Sequence, residues 1–303
     1  MSLTTSSAPG QGLAADPVTV GDVVATLEAA YPPGTALDWD AVGLVCGDPQ
    51  APVDRVLLAV DPVLSVVDEA VATGAQLLVV HHPLLLRAVH SVAADTPKGR
   101  VLHRLMAAGC ALYVAHTNAD AARDGVNDSL AALLGLSGLR PLEPAPADGT
   151  GATGIGRVGT LAEPMTLRGF AEMVARRLPA TAQGVRVSGD PDAVLRTVAL
   201  CGGSGDSLFD AVRASGADVY VTADLRHHPA SEAREHRGDG RPFLVDVAHW
   251  ASEWPWLERC AGVITTALGP GVSTHVSTLS TDPWTFLVPE AADRQPPRED
   301  PPK

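Results

Sequence analysis

Lysine is almost missing from this 303-residue chain. Lys98 and Lys303 are the only two, so its basic charge rests on arginine, a mark of genome composition rather than of function. Positive charge is short altogether. The formal net charge of −13 excludes general attraction to DNA, RNA or an anionic membrane surface and leaves room only for a local basic pocket. Cysteine is scarce as well. Cys46, Cys110, Cys201 and Cys260 stand far apart with no C-x-x-C pair, which excludes a zinc ribbon or disulfide framework and fits a reducing compartment. All four read as small buried hydrophobes. No stretch comes near the ~20 apolar residues of a membrane span. Met1 to Asp16 lacks the basic start and apolar centre of a signal peptide. The expectation is a soluble, cytoplasmic protein.

What is present is the material of a globular α/β chain, 46% hydrophobic and 19% charged. Residues 1–16 read as a disordered tail of small and polar residues. Thr19 caps a helix over 20–30 that Pro32 and Pro33 end. Strands are expected over 55–60, 76–80 and 111–115, separated by helices over 64–73 and 97–108, with another helix over 125–134. Such alternation implies βαβ units and mostly parallel sheets. Residues 141–154, rich in proline, alanine and glycine, read as a hinge. The pattern then resumes, with strands over 157–161, 184–187, 196–200, 218–222, 243–247 and 271–279. Helices are expected over 167–177, 207–215, 230–236 and 252–268. The expected architecture is two similar α/β lobes, about 17–140 and 155–284, facing each other across a cleft, with a loose tail over 285–303.

Candidate chemistry gathers at expected strand ends, where open α/β sheets place their ligands. Val79-Val-His81-His82-Pro83 ends an apolar strand in two imidazoles, for which packing or turn formation offers no role. Alternation along a strand sends them to opposite sides, so the two are expected to serve different ions. His116 and Asp120 follow the next strand, although Asn118 and Asp120 also suit a plain turn. His249 and Glu253 lie four apart, on one helix face, unless Ser252 is a cap and Glu253 only complements the helix end. Together His81, His82, Asp120, His249 and Glu253 offer three nitrogens and two carboxylates. That is more than one structural zinc uses, which points to two divalent ions: Zn, Fe, Mn or Co on ligand softness. Cys201-Gly-Gly-Ser-Gly-Asp206 reads first as a tight turn and second as an anion cradle. His90, His103, His236 and His275 lack a partner pattern.

Five segments in order resemble the NIF-three-like dinuclear-metal family, also called GTP cyclohydrolase I type two homologues. They are Trp39-Asp-Ala-Val-Gly-Leu44, Val79–Pro83, His116-Thr-Asn-Ala-Asp120, Ala223-Asp-Leu-Arg-His-His228 and Asp246-Val-Ala-His-Trp-Ala-Ser-Glu253. The resemblance covers roughly residues 18–284. It implies a two-lobed fold with a dinuclear site between the lobes, a homohexameric toroid, and metal ligands at the five residues already reached from spacing. The chain departs from the family pattern at Ala41, where asparagine is usual, and at Arg226 and His227, so no substrate preference carries over.

The function expected is a metal-dependent hydrolase acting on a nucleotide or phosphoester, with His116 or His228 moving a proton. The alternative is a non-catalytic metal-binding or regulatory toroid, which the same ligands suit.

Overall fold

Residues 17–145 and 151–288 are described by the structure, a computed structural model. The first half runs α1 (Val20–Ala30), β1 (Gly43–Cys46), β2 (Arg55–Ala59), α2 (Leu64–Thr73), β3 (Leu77–Val80), α3 (Pro97–Ala107), β4 (Ala111–Val114), α4 (Thr117–Ala121) and α5 (Val126–Leu133). It is followed by β5 (Leu136–Pro144), β6 (Gly154–Thr166), α6 (Leu167–Arg177), β7 (Arg186–Ser188), β8 (Val194–Ser204), α7 (Phe209–Ser215) and β9 (Val219–Ala223). The chain closes with α8 (His227–Glu235), β10 (Phe243–Val247), α9 (His249–Glu253), α10 (Pro255–Leu268) and β11 (Ser273–Val276). Local chemistry sets several of these bounds. Thr19 Oγ1 accepts from Asp22 N at 3.2 Å while Asp22 Oδ2 accepts from Thr19 N at 2.8 Å, a reciprocal box that starts α1. Thr96 and Thr166 cap α3 and α6 in the same sense, accepting from Gly99 N and Gly169 N.

Two sheets result, in the orders β1-β4-β3-β2-β11 and β5-β6-β8-β9-β10-β7. In the first, β4, β3, β2 and β11 are parallel and only β1 runs against its neighbour. The second is mixed: β8, β9 and β10 are parallel, and β5, β6 and β7 pair antiparallel. Period-two alternation divides each central strand between two cores. Leu77 and Val79 join a central core while Leu78 and Val80 join an outer one with α2 and α3 residues. Across the molecule Val219 and Val221 enter the central core, and Tyr220 packs with α7 residues in a third. Residues of α1, α5, α6 and α10 fill the central core between the sheets. Helices therefore cover both faces of the inner strands, which is why those strands read as unbroken apolar runs.

The lobes do not divide where the sequence suggests. β11 returns from far along the chain to pair with β2 in the first sheet, and β5, an unexpected strand that straddles the expected first lobe and hinge, belongs to the second sheet. Within the expected hinge, Glu143 pairs with Ile155 and Pro144 with Gly154, so its flanks are ladder rather than linker. Residues 146–150 of that hinge, the tail 1–16 and residues 289–303 lie outside the described residues. The helix expected from Ser252 starts earlier, at His249, and breaks at Trp254 before Pro255 opens α10. Among the described residues no helix is long and apolar enough to cross a membrane.

Candidate metal centre

The ends of five parallel strands supply the site. Asp61 follows β2, His81 and His82 follow β3, His116 follows β4, Asp224 follows β9 and His249 follows β10. The first three strands belong to one sheet and the last two to the other, so the carboxyl edges of both sheets meet at one place. α4 adds Asp120 and α9 adds Glu253.

His81 continues the inward parity of Leu77 and Val79 and is wholly buried, its ring 5.5 Å from that of Trp256. His82 does not continue the alternation. The strand ends at Val80, the chain bends, and His82 N donates to Val60 O at 2.9 Å. The two imidazoles therefore lie 5.0 Å apart between centroids rather than on opposite sides. Strand alternation does not separate them because the strand stops at Val80, before either histidine.

Glu253 sits among the imidazoles. Its Oε1 lies 3.0 Å from His249 Nε2 and 3.5 Å from His81 Nε2, and its Oε2 lies 3.1 Å from His82 Nε2. Asp120 Oδ1 approaches His81 Nε2 at 3.7 Å. Among the described residues, two triplets have ligand atoms close enough to hold an ion: His81, His82 and His116, and His82, His249 and Glu253. Asp120 borders these triplets without completing either. His116, expected as a proton carrier beside the site, stands inside one of them. His228 lies outside: it is exposed on α8 with its ring 5.2 Å from that of His227. His90, His103, His236 and His275 are exposed, with His275 Nε2 3.3 Å from Glu69 Oε1.

The same device orients all four imidazoles. The Nδ1 of His81 meets Ala115 O at 2.9 Å, that of His82 meets Asp61 Oδ1 at 2.7 Å, that of His116 meets Asp40 Oδ1 at 2.8 Å, and that of His249 meets Asp224 Oδ2 at 2.6 Å. A carbonyl or carboxylate only accepts, so each Nδ1 carries the proton and donates. Each Nε2 is left to face the cluster, the arrangement that metal-bound histidines use to fix tautomer and ring. Asp40, Asp61 and Asp224 are site residues that spacing does not reveal. Asp40 also accepts from Thr117 N at 2.9 Å and from the Thr117 hydroxyl.

His81 Nε2, Asp120 Oδ1 and Glu253 Oε2 are buried with no hydrogen-bond partner. Three such orphans aimed into one space are costly unless something there meets them. A cation does: neutral imidazole nitrogen and carboxylate oxygen are the donors that Zn, Fe, Mn and Co accept. The cluster can thus hold a metal ion. In the metal-free protein, protons take the cation's part. Burial works against charge on His82, yet Glu253 and Asp61 outweigh it and hold the group at about 10. His249 is pushed likewise to about 11 by Glu253 and Asp224. Burial opposes ionisation of Glu253 too, but His82, His249 and His81 keep its carboxyl well below its usual range. Burial raises that of Asp120.

The remaining predicted features are structural. Asn118 accepts from His116 N at 2.9 Å and donates to Tyr31 O at 2.7 Å, so it is the turn former its residue type suggests. The Gly202–Gly203 pair belongs to β8, and its amides donate to Asn127 Oδ1 and Ser252 Oγ, both at 2.9 Å, so they do not cradle an anion. Cys110, Cys201 and Cys260 are buried, and Cys46 is half-buried.

Comparison with known proteins bears on the family and the fold. The model of a family described as Duf34/NIF3 (NGG1p interacting factor 3) matches residues 18–283. A Streptomyces coelicolor protein named GTP cyclohydrolase 1 type 2 homolog is 55% identical, over 90% of this chain and 95% of that one. A protein of the same name from Clostridium perfringens is 32% identical, over 88% and 99%. The crystal structure of a Bacillus cereus protein related to NIF3 superposes with a TM-score of 0.81 at 26% identity, over 90% of this chain and all of that one.

Proposed function

The chain belongs to the Duf34/NIF3 family, and on that premise we propose that it is a metal-dependent hydrolase acting on a nucleotide or other phosphorylated small molecule. One observation carries the reading. Four imidazoles are locked at Nδ1, and three of them, His81, His82 and His249, turn Nε2 towards the buried carboxylates of Asp120 and Glu253. In this proposal His81, His82, His249, Asp120 and Glu253 would hold two divalent ions, Zn, Fe, Mn or Co. Ions so placed supply Lewis acidity and bring the acidity of water towards neutral pH.

The protein residues do the rest. Asp61 and Asp224 keep His82 and His249 in the tautomer and orientation that ligation needs. Asp40, its side chain fully buried, does the same for His116, whose Nε2 is free to accept a proton from the attacking water and return it to the leaving group. His228, outside the cluster, has no part in this scheme. Assembly as a homohexamer belongs to the same proposal and is checked by light scattering.

The test is elemental analysis of protein purified without added metal, followed by turnover assays on nucleotides and phosphoesters. Bound transition metal near two ions per chain is expected, with turnover falling at least ~10²-fold in Asp120→Ala, the order of a general acid–base or electrostatic contribution. Metal without turnover of any substrate would favour the alternative of a non-catalytic metal-binding protein. Neither metal nor turnover would end both readings.

A further inference from the structure

A small cavity of about 220 Å³ opens beside the cluster. At ~30 Å³ per water it holds roughly seven waters, the scale of a planar ring rather than of a whole nucleotide. One wall consists of His82 and His249 with the carboxylates that orient them, Asp61 and Asp224. The facing wall is the chain after β11, and this segment is pinned in place: the Thr281 hydroxyl donates to Asp61 Oδ2, and Trp284 N donates to Asp282 Oδ1 at 2.8 Å. Trp284 lines the cavity while remaining 66% exposed. An indole carries a large apolar face, and here it lines a cavity beside candidate metal ligands instead of being buried.

The polarity of the walls narrows the occupant. Among the described lining residues Asp61, Asp224 and Asp282 are acidic and none is arginine or lysine. His82 and His249 draw any charged group towards the cluster; on the side of Trp284 an anionic group would meet Asp282 and no cationic side chain. Gln183 contributes an amide, a neutral group with both a donor and an acceptor. A flat, uncharged heterocycle finds an indole to stack on and an amide to bond.

We infer that this cavity receives an uncharged planar heterocycle of the substrate, with Trp284 as its stacking platform and Gln183 as its hydrogen-bonding specificity determinant. The inference rests on the hydrolase reading, in which the reacting oxygens are left to the metal cluster next door. Thr281, through Asp61, ties the ring-binding wall to His82, so the platform and the cluster keep a set separation.

Calorimetric titration of the metal-loaded protein with adenosine, guanosine and ribose 5-phosphate tests it. At least one nucleoside should bind, and Trp284→Ala should weaken it about tenfold or more while Trp284→Phe stays within about threefold, as base–aromatic stacking requires. Gln183→Leu should alter the ratio of adenosine to guanosine affinity, and ribose 5-phosphate should be insensitive to Trp284→Ala. The inference is overturned if neither nucleoside binds, or if Trp284→Ala spares nucleoside binding. It is equally overturned if ribose 5-phosphate weakens as much as the nucleosides. Failure of the two readings is distinguishable. Trp284-dependent nucleoside binding without turnover of any substrate removes the hydrolase and keeps the cavity assignment; turnover and nucleoside binding that both ignore Trp284→Ala do the reverse.

Discussion

His82 and His249 bring their Nε2 atoms within 3.2 Å of each other, with Glu253 against both. Glu253 and the orienting aspartates raise the two rings to about 10 and about 11, so at neutral pH the metal-free pair retains bound protons that a free imidazole would have lost. Both folded values lie above the ordinary ~6.5, so their contribution to stability is complete below about that pH and is lost as pH rises through 10 to 11. A metal needs neutral nitrogen, so binding must expel those protons and grow tighter as pH rises over the same window. Titrating zinc at pH 8 in two buffers of different ionisation heat should show net proton release, and affinity should rise between pH 6.5 and 9. Proton-neutral binding would contradict the protonated pair. The cluster of His81, His82, His249 and Glu253 was legible in the sequence because its signals are local: a doublet at a strand end and an i, i+4 pair. The orienting roles of Asp40, Asp61 and Asp224 were not, although Asp40 and Asp224 fall within the quoted motifs, because they meet their histidines across 76, 21 and 25 residues. No spacing rule reaches that far.

At the scale of elements, the end of β8 decides how closely the second sheet approaches α9. Gly203 has φ +66°, and a Cβ there would stand 2.4 Å from Glu253 Oε1 and 2.9 Å from His249 Nε2. Its glycine serves both conformation and clearance. The glycine-rich stretch suggested a turn, and its ambiguity was physical: positive φ looks the same in sequence whether it turns a loop or admits a neighbouring side chain. Gly216, past the end of α7, has φ +73° with open space where a Cβ would go. Gly203→Ala and Gly216→Ala should each cost about 1–2 kcal/mol for the left-handed backbone. Only Gly203→Ala should also lose bound metal, because it displaces the carboxylate and imidazole it touches. Chemical denaturation together with metal analysis of both variants separates the two effects, and retained metal in Gly203→Ala would show that the approach is not needed.

For the whole molecule the decisive feature is that the first sheet is not built from one continuous stretch of the chain: β5 to β10 follow one another in the second, and β11 returns from beyond them to the first. The alternation of strands and helices made the α/β class readable, since each inner strand is apolar on both faces. Pairing partners were not readable in the same way. β11 docks on β2, where Ser273 Oγ reaches Asp54 O across 219 residues, and a short strand carries no mark of so distant a neighbour. β5 escaped notice because Gly138, Pro141 and Pro144 resemble breakers, although at a sheet edge proline is tolerated. Arg157 shows the same interlocking. Buried on β6, it pairs with Asp128 and donates to Ala122 O at 2.9 Å, just beyond the α4 turn that presents Asp120. A fragment of residues 17–140 would keep His81, His82 and Asp120 but lose β11 from the edge of its sheet. It would also lose Trp256, Leu257, Cys260 and Ile264 from the core beneath. Each such side chain is worth about 1.5–3 kcal/mol when fully buried, and a domain's total stability is only about 5–15 kcal/mol. The fragment should therefore show no cooperative thermal transition by circular dichroism and bind no metal, whereas the full chain melts in one step; a cooperative melt of the fragment would mean that the first sheet is a self-sufficient unit and that the central core is two cores in contact.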